Sequence, residues 1–133
     1  MANTLLAIQT LYTDFNQGNL SKILSLIDCE VIIHKPESLP YGNLYVGREG
    51  FVNLMSSLYK TWSSLQMIPE SIIASGDIIV ASGELIGKVS SVTEMIHMPF
   101  VHVWKMPEEH ITEIWFYYWD TALLLKYFGK SKQ

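Results

Sequence analysis

The first part of the chain has the spacing of an amphipathic helix. Over residues 4–17, apolar side chains recur three or four positions apart, which places them on one helical face. The residues of this face are Leu5, Ile8, Leu11, Tyr12 and Phe15. Gly18 stands where a left-handed C-terminal cap is expected, so the first helix is predicted to end there.

Two more helices and a strand are predicted before the middle of the chain. Asn19 can cap a short second helix. Its buried positions would be Leu20, Ile23, Leu24 and Ile27. Residues 29–34 are apolar and β-branched, which predicts a strand, and turn-forming residues fill 36–47. A third helix is expected from about Arg48, with an inner stripe of Phe51, Val52, Met55, Leu58, Tyr59 and Trp62.

The second half of the chain predicts strands. Residues 65–75, 77–89, 93–106 and 110–119 are strand-like runs separated by short turn sequences, which suits antiparallel connections. A last short helix is expected over 121–128, with Asp120 or Thr121 as its cap. Helices first and strands afterwards indicate an α+β domain.

The final strand carries large aromatic side chains on both of its faces. One face would hold Ile111, Glu113, Trp115, Tyr117 and Trp119, and the other Thr112, Ile114, Phe116, Tyr118 and Asp120. A strand exposed on one side would alternate apolar with polar residues, so both faces are expected to be covered. Either the protein's own helices cover both, or a second subunit covers one; we expect the second, a homodimer through the sheet. The face of Tyr117 and Trp119 is expected inside, and that of Phe116 and Tyr118 outside.

Composition narrows the class of protein. With 133 residues, 49% of them hydrophobic and only 17% charged, the chain is expected to form a single domain over 1–133 with apolar surface left for a pocket or an interface. A net charge of -4 and scattered basic residues argue against nucleic acid. Neither a membrane span nor a secretory signal is visible, and Cys29 is the single cysteine, so we expect a cytoplasmic location.

Several segments together resemble one protein family. They are residues 15–20, 28–34, 45–50, 76–77, 100–103 and 118–122, in the family's order and at about its spacing. The chain resembles the SnoaL-like and ketosteroid-isomerase-like family, within the superfamily named after nuclear transport factor two. The resemblance implies a cystatin-like cone, in which a strongly curved antiparallel sheet wraps around three N-terminal helices and is closed by a short C-terminal helix. It also implies an apolar pocket at the open end, and dimers through the sheet.

The chain departs from this family at the positions that carry its chemistry. Ketosteroid isomerases use an aspartate base, and a tyrosine with a protonated aspartate that stabilise the enolate oxygen. The resemblance puts Lys35 at the base position, His102 at the second oxyanion position, and Leu11, next to Tyr12, at the tyrosine position. Related cyclases place an aspartate after a last-strand tryptophan, where Trp115 is followed here by Phe116. The last-strand aspartate of the epoxide hydrolases aligns with Tyr117.

Lys35 and His102 are nevertheless the candidate catalytic residues, aided by Tyr117 or Tyr12. Lys35 shares a strand face with Val31 and Ile33; it either lies in the pocket as a neutral amine, able to act as a base or to form a Schiff base, or reaches water along its stem. His102 alternates with valines on an apolar face and is either a proton-transfer group or a core histidine.

Aromatic residues are expected to line the pocket for a flat ligand, or to form ordinary core. The candidates are Tyr12, Tyr41, Tyr45, Trp62, Phe100, Trp104, Trp115 and Trp119. No metal site and no cofactor are predicted, and Cys29 is interpreted as a buried structural thiol.

Two functions remain open from the sequence. The first is a pocket for a hydrophobic, carbonyl-bearing small molecule, with proton transfer of the isomerase or cyclase type through Lys35 and His102. The alternative is a non-catalytic binding or dimerisation module that has lost the family's carboxylates.

Overall fold

The computed structural model describes residues 2–41 and 44–131, which form four helices and six strands. In chain order the elements are α1 Ala2–Gln17, α2 Leu20–Leu24, β1 Ile27–His34, β2 Leu44–Val46, α3 Gly47–Thr61, β3 Trp62–Ser75, β4 Ile78–Val89, β5 Ile96–Lys105, β6 Ile111–Tyr118 and α4 Thr121–Ser131. The predicted order of elements is therefore confirmed, with β2 as an extra strand inside the predicted loop. None of the described helices is long and apolar enough to cross a membrane.

The six strands form one curved, unclosed sheet in the order β2-β1-β6-β5-β4-β3. The long strands β3 to β6 are antiparallel neighbours, whereas β1 runs parallel to β6. The sheet is thus mixed, and the expectation of a purely antiparallel sheet is corrected at this one pairing. Parallel pairing needs a long crossover, and here the whole chain between β1 and β6 provides it.

The helices lie against the concave side of this sheet and enclose the core. Helix α1 packs against β3, and α3 packs against β1, β2 and β3. Helix α4 closes one end, where the ring of Phe128 meets Tyr41 and Trp62 edge-on. The backbone N–H of Leu123 donates to the Asp120 carboxylate at 3.1 Å, which confirms the predicted cap of this helix. The α+β architecture is confirmed.

The inner and outer faces of β6 are the reverse of those expected. Ile114 and Tyr118 are buried, while Tyr117 is 54% exposed and Trp119, just beyond the strand, is 81% exposed. Ile111 is buried too, so burial does not alternate regularly from the start of the strand. The register of β1 against β6 shifts in this region, between Ile27 and Ile32. Counting by twos from Ile111 therefore led to the wrong face.

Strand β5 keeps an unbroken alternation. Met98, Phe100, His102 and Trp104 are buried, and Pro99 lies exposed between them without disturbing the pattern. The carbonyl oxygen of Pro99 accepts a hydrogen bond from the Trp119 backbone N–H. His102 is accordingly fixed on the inner face of the sheet.

Cys29 is exposed, so the interpretation of a buried thiol is wrong. It lies in the first half of β1, where the burial pattern is irregular before the regular alternation of Val31, Ile33 and Lys35 begins. The thiol and the half-buried His34 belong to different rows of this strand.

Candidate functional site

An apolar cavity lies between the inner face of the sheet and the helices α1 and α3. The cavity is narrow, and its empty space reaches about 500 Å³ only when the open solvent at its mouth is included. It is lined by Leu11, Tyr12, Phe15, Ile23, Lys35, Phe51, Met55, Leu58, Met67, His102, Trp104, Ile114 and Phe116. Lys35 and His102 are the strongly polar groups in this wall, and none of the carboxylates in the described ranges contributes to it.

Lys35 is buried in an aromatic surround. It follows β1 on the same side as Val31 and Ile33, and only 5% of its surface is exposed. Its Nζ lies 4.2 Å from the ring centre of Phe116, 4.7 Å from that of Tyr118 and 5.1 Å from that of Tyr41. Nζ also donates a hydrogen bond to the Tyr118 hydroxyl. The alternative in which Lys35 reaches water is therefore ruled out.

The burial of Lys35 changes its protonation. Removal from water disfavours the ammonium form and lowers the pKa of Lys35 from 10.5 to about 7. Aromatic faces attract a cation, but far less than a carboxylate in contact would. No acidic partner of Lys35 is found within residues 2–41 and 44–131. Near neutral pH a large fraction of this side chain is the free amine.

A chain of hydrogen-bonded hydroxyl and indole groups holds Lys35 in position. The Tyr118 hydroxyl is hydrogen-bonded to that of Tyr41, which accepts a hydrogen bond from Trp62 Nε1–H at 3.3 Å. Burial raises the pKa of Tyr41 to about 12 and that of Tyr118 well above its usual value. Both phenols therefore stay protonated and hold Nζ in place without adding charge.

His102 is held by a second chain of the same kind. The Tyr12 hydroxyl lies 2.7 Å from His102 Nδ1 and accepts a hydrogen bond from Trp104 Nε1–H at 3.2 Å. Burial, followed by the nearby positive charge of Lys35, lowers the pKa of His102 well below 6.5, so the imidazole is neutral. Burial also raises the pKa of Tyr12, so its hydroxyl keeps its proton.

These contacts select one tautomer of His102. The Trp104 indole can only donate, so the Tyr12 oxygen is the acceptor there and the Tyr12 proton is free for Nδ1. A Tyr12 hydroxyl that donates to Nδ1 leaves the imidazole proton on Nε2. The opposite tautomer would leave both the Tyr12 proton and the Nε2 lone pair without a partner, so the first is favoured. This Nε2 atom is buried and has no hydrogen-bond partner among the described residues. A buried polar atom without a partner is costly, so a ligand oxygen that reached Nε2–H would relieve that cost.

Stacked rings fix the orientation of the imidazole. Phe100 stacks on His102 with ring centres 4.2 Å apart, and Phe116 meets it edge-on at 4.6 Å. Because Lys35 Nζ also lies over Phe116, one ring contacts both polar groups of the cavity. The arrangement can present a neutral N–H donor and an amine to the same apolar ligand.

The predicted site residues separate into three groups. Lys35 and His102 come together at the cavity with Tyr12 and Trp104. Tyr41, Trp62 and Phe100 are buried behind them as supports, and the half-buried Tyr45 donates from its hydroxyl to the Tyr41 carbonyl at 2.7 Å. Tyr117, Trp115 and Trp119 lie outside the cavity, so their assignment to it is corrected.

The reversed β6 face explains what the sequence missed. Phe116 and Tyr118, expected on the outer surface, are the groups that contact Lys35. Trp115 instead stacks on His34 on the outer face, with ring centres 5.3 Å apart. The cap of α4 at Asp120 is a usable sequence signal for the end of β6. It does not indicate which way the last side chains of β6 point.

Within the part of the chain that the structure describes, no group of three histidine, cysteine or acidic side chains is arranged to hold a metal ion. The two histidine–glutamate contacts, His34 with Glu113 and His97 with Glu84, are pairs and lie away from the cavity.

Sequence comparison now identifies the family. The SnoaL-like domain family matches residues 8–114, and the chain belongs to this family. None of the curated proteins matches the chain in sequence.

Solved structures share the whole fold at low identity. An NTF2-like protein of unknown function from Burkholderia pseudomallei superposes with a TM-score of 0.89 at 21% identity, covering 96% of this chain and 98% of its own. TerC, co-crystallised with polyporic acid, gives 0.84 at 22% identity, covering 92% and 95%. IdmH, a polyketide cyclase candidate from Streptomyces antibioticus, gives 0.76 at 21%, covering 92% and 96%. At these identities the likeness establishes the fold, and the predicted cystatin-like cone is confirmed.

Proposed function

We propose that the protein binds a flat, hydrophobic, carbonyl-bearing small molecule in the cavity and transfers a proton next to its carbonyl group. The observation that carries this proposal is the buried, unpartnered Nε2 of His102 in the wall of an apolar cavity. A carbonyl oxygen placed there would supply the missing acceptor. Two of the structural neighbours support the ligand class: TerC was crystallised with polyporic acid, and IdmH is a polyketide cyclase candidate.

In this proposal His102 and Lys35 have different roles. His102 Nε2–H donates to the carbonyl oxygen and stabilises the negative charge that develops there. The free amine of Lys35 takes the proton from the adjacent carbon, and a pKa of about 7 suits a base that works at neutral pH. Lys35 and His102 would then replace the carboxylates that the resemblance implies at these positions.

The test separates binding from catalysis with matched compounds. Methyl naphthyl ketone carries a carbonyl and exchangeable protons, and ethylnaphthalene has nearly the same shape without the oxygen. We expect the protein to bind the ketone about tenfold more tightly than the hydrocarbon, the worth of one hydrogen bond. His102→Phe should abolish that preference and leave hydrocarbon binding unchanged. Isothermal titration calorimetry measures both affinities.

Catalysis is followed by deuterium exchange into the methyl group of the ketone, observed by NMR in D₂O. The wild type should accelerate this exchange and Lys35→Met should lose the acceleration, while Lys88→Met, a matched change on β4, should keep it. Equal affinity for ketone and hydrocarbon would contradict the proposal. Binding without exchange would favour the non-catalytic binding module, which is supported by the lack of a carboxylate among the described residues of the cavity wall.

We further propose that the outer face of the sheet pairs two copies of the chain. Val80, Val101 and Tyr117 are exposed on neighbouring strands of this face, and Trp119 lies beside them. Val101 faces Tyr117 in the β5–β6 register and Ser82 in the β4–β5 register, so it stands near the middle of the patch. Exposed apolar area of this kind is typical of interfaces.

Light scattering at micromolar concentration tests this pairing. The wild type is expected at twice the chain mass of 15.2 kDa. Val101→Glu should weaken the dimer at least tenfold, because it buries a charge without a partner. Val52→Glu, a matched change at an exposed position of α3, should leave the mass unchanged. A monomeric wild type would refute the proposal.

A further inference from the structure

The surroundings of Lys35 also fit nucleophilic attack on a carbonyl carbon. We propose that Lys35 forms a reversible imine with a hydrophobic aldehyde held in the cavity, an activity that rests on the proposed binding function. The amine would then retain a reactive carbonyl compound covalently.

The first support is the position of the amine. Lys35 belongs to the cavity wall, and its Nζ is confined among the rings of Phe116, Tyr118 and Tyr41. Its hydrogen bond to the Tyr118 hydroxyl uses an N–H group and leaves the nitrogen lone pair uncommitted once the amine is neutral. A lysine paired with a carboxylate would be held as an ammonium ion, and no such partner of Lys35 exists among the described residues.

The second support is the donor beside it. Attack by the nitrogen forms the C–N bond and moves the carbonyl π electrons onto oxygen, where His102 Nε2–H can stabilise them. Both protons of the amine pass to this oxygen, which leaves as water while the C=N bond forms. The Tyr118 hydroxyl, hydrogen-bonded to Nζ, is placed to relay a proton. The step consumes no oxidant or reductant.

The acidity of Lys35 gives the reaction its selectivity. With a pKa of about 7, about half of Lys35 is neutral at pH 7. An exposed lysine with the ordinary pKa of about 10.4 is neutral in roughly one molecule in 2,500 at pH 7. The reactive form is therefore enriched about a thousandfold at Lys35 over lysines in water. The ionisable groups that face it are Tyr118 from β6, Tyr41 from the loop, His102 from β5 and Tyr12 from α1, all of which are uncharged at neutral pH.

The experiment traps the imine by reduction. The full chain is equilibrated with naphthaldehyde between pH 5 and pH 9 and given a short pulse of sodium borohydride. Intact mass spectrometry should then show one added aldehyde less one oxygen atom, and peptide mapping should place it on Lys35. We expect the yield to reach half its maximum near pH 7, to vanish in Lys35→Met and to be unchanged in Lys88→Met.

A parallel measurement separates this inference from the binding proposal. Quenching of tryptophan fluorescence reports binding of naphthalenemethanol, which has the shape of the aldehyde but no carbonyl. If the alcohol binds and the aldehyde leaves no adduct on Lys35, or labels lysines indiscriminately, the imine is refuted and the binding site stands. If neither compound binds, both proposals fail. The mapping is done on the wild type, so the result does not depend on the folding of a variant.

Discussion

The free energy of unfolding of the wild type is expected to rise by about 2 kcal/mol between pH 7 and pH 9 relative to that of Lys35→Met. The cause is the burial of Lys35, which lowers its pKa to about 7 in the folded protein from 10.5 in the unfolded chain. Methionine has a similar length and no charge, so the variant lacks this proton linkage.

The sign follows from counting protons. Below pH 7 the lysine is protonated in both states, and the full cost of burying it is present. Between pH 7 and pH 10.5 the unfolded chain binds one more proton than the folded one, so stability increases with pH, by about 1.4 kcal/mol per unit where the difference is complete. At pH 7 only half of the folded molecules have lost the proton, which reduces the change up to pH 9 to about 2 kcal/mol.

Urea unfolding at pH 7, 8 and 9 measures this difference. Other groups that titrate in the range are common to both proteins and cancel in the comparison. Lys88→Met on β4 serves as the control and should run parallel to the wild type. If the unfolding free energies of the wild type and Lys35→Met change with pH in parallel, Lys35 keeps an ordinary pKa. Both roles proposed for its amine would then lose their physical basis. Lys35→Met is also expected to be the more stable protein at pH 7.

Gly83→Ala is expected to destabilise the protein by about 3 kcal/mol or more. Gly83 lies in β4 opposite an irregularity of β3 between Pro69 and Ser71. A Cβ added there would stand 2.1 Å from the Ile68 carbonyl oxygen and 2.7 Å from the Pro69 Cα. Both are backbone atoms, so a side-chain rotation cannot relieve the contact.

The clash must be relieved by separating β3 from β4. Met67 of β3 lines the cavity. The Asn16 side chain of α1 donates to the Met67 carbonyl oxygen and accepts from the Met67 backbone N–H, both at 2.9 Å. A displaced β3 would therefore disturb the cavity as well as the sheet. Thermal and urea unfolding measure the loss. Gly129→Ala in α4, where an added Cβ meets nothing within 4 Å, is the matched control and should not lower stability. Equal stability of the two variants would contradict the close approach of β3 and β4.

The helices and the position of the strands were predictable because each is encoded locally. The inner stripes of α1 and α3, at Leu11, Phe15, Phe51 and Met55, have helical spacing and do line the cavity. Val52 and Tyr59, which were predicted on the stripe of α3, are exposed, so the prediction is wrong at these two positions. Simple alternation put Lys35 on the strand face of Ile33 and His102 on that of Phe100, and both faces point inward. Whether Lys35 stays in the pocket or reaches water was left open by the sequence. The exposed Cys29 was mispredicted, because residue type alone favoured burial where the strand pattern is irregular.

The face of β6 could not be predicted, because aromatic residues occupy both of its sides and carry no polar contrast. Only pairing with β1 and β5 fixes which residues point inward, and that pairing contains a register shift. Tyr118 was consequently missed, although it is the hydrogen-bond partner of Lys35.

The sequence by itself thus determined the family, the order of the elements and the replacement of the expected carboxylates by a lysine and a histidine. The tertiary structure decided what these two residues can do. The protonation state of Lys35 depends on the rings of Phe116 and Tyr118 in β6 and of Tyr41, which follows β1 in the chain. The tautomer of His102 depends on Tyr12, which lies 90 positions away in the chain. Protonation is set by the distance to water and to hydrogen-bond partners, and those distances exist only once the sheet has curved around the helices.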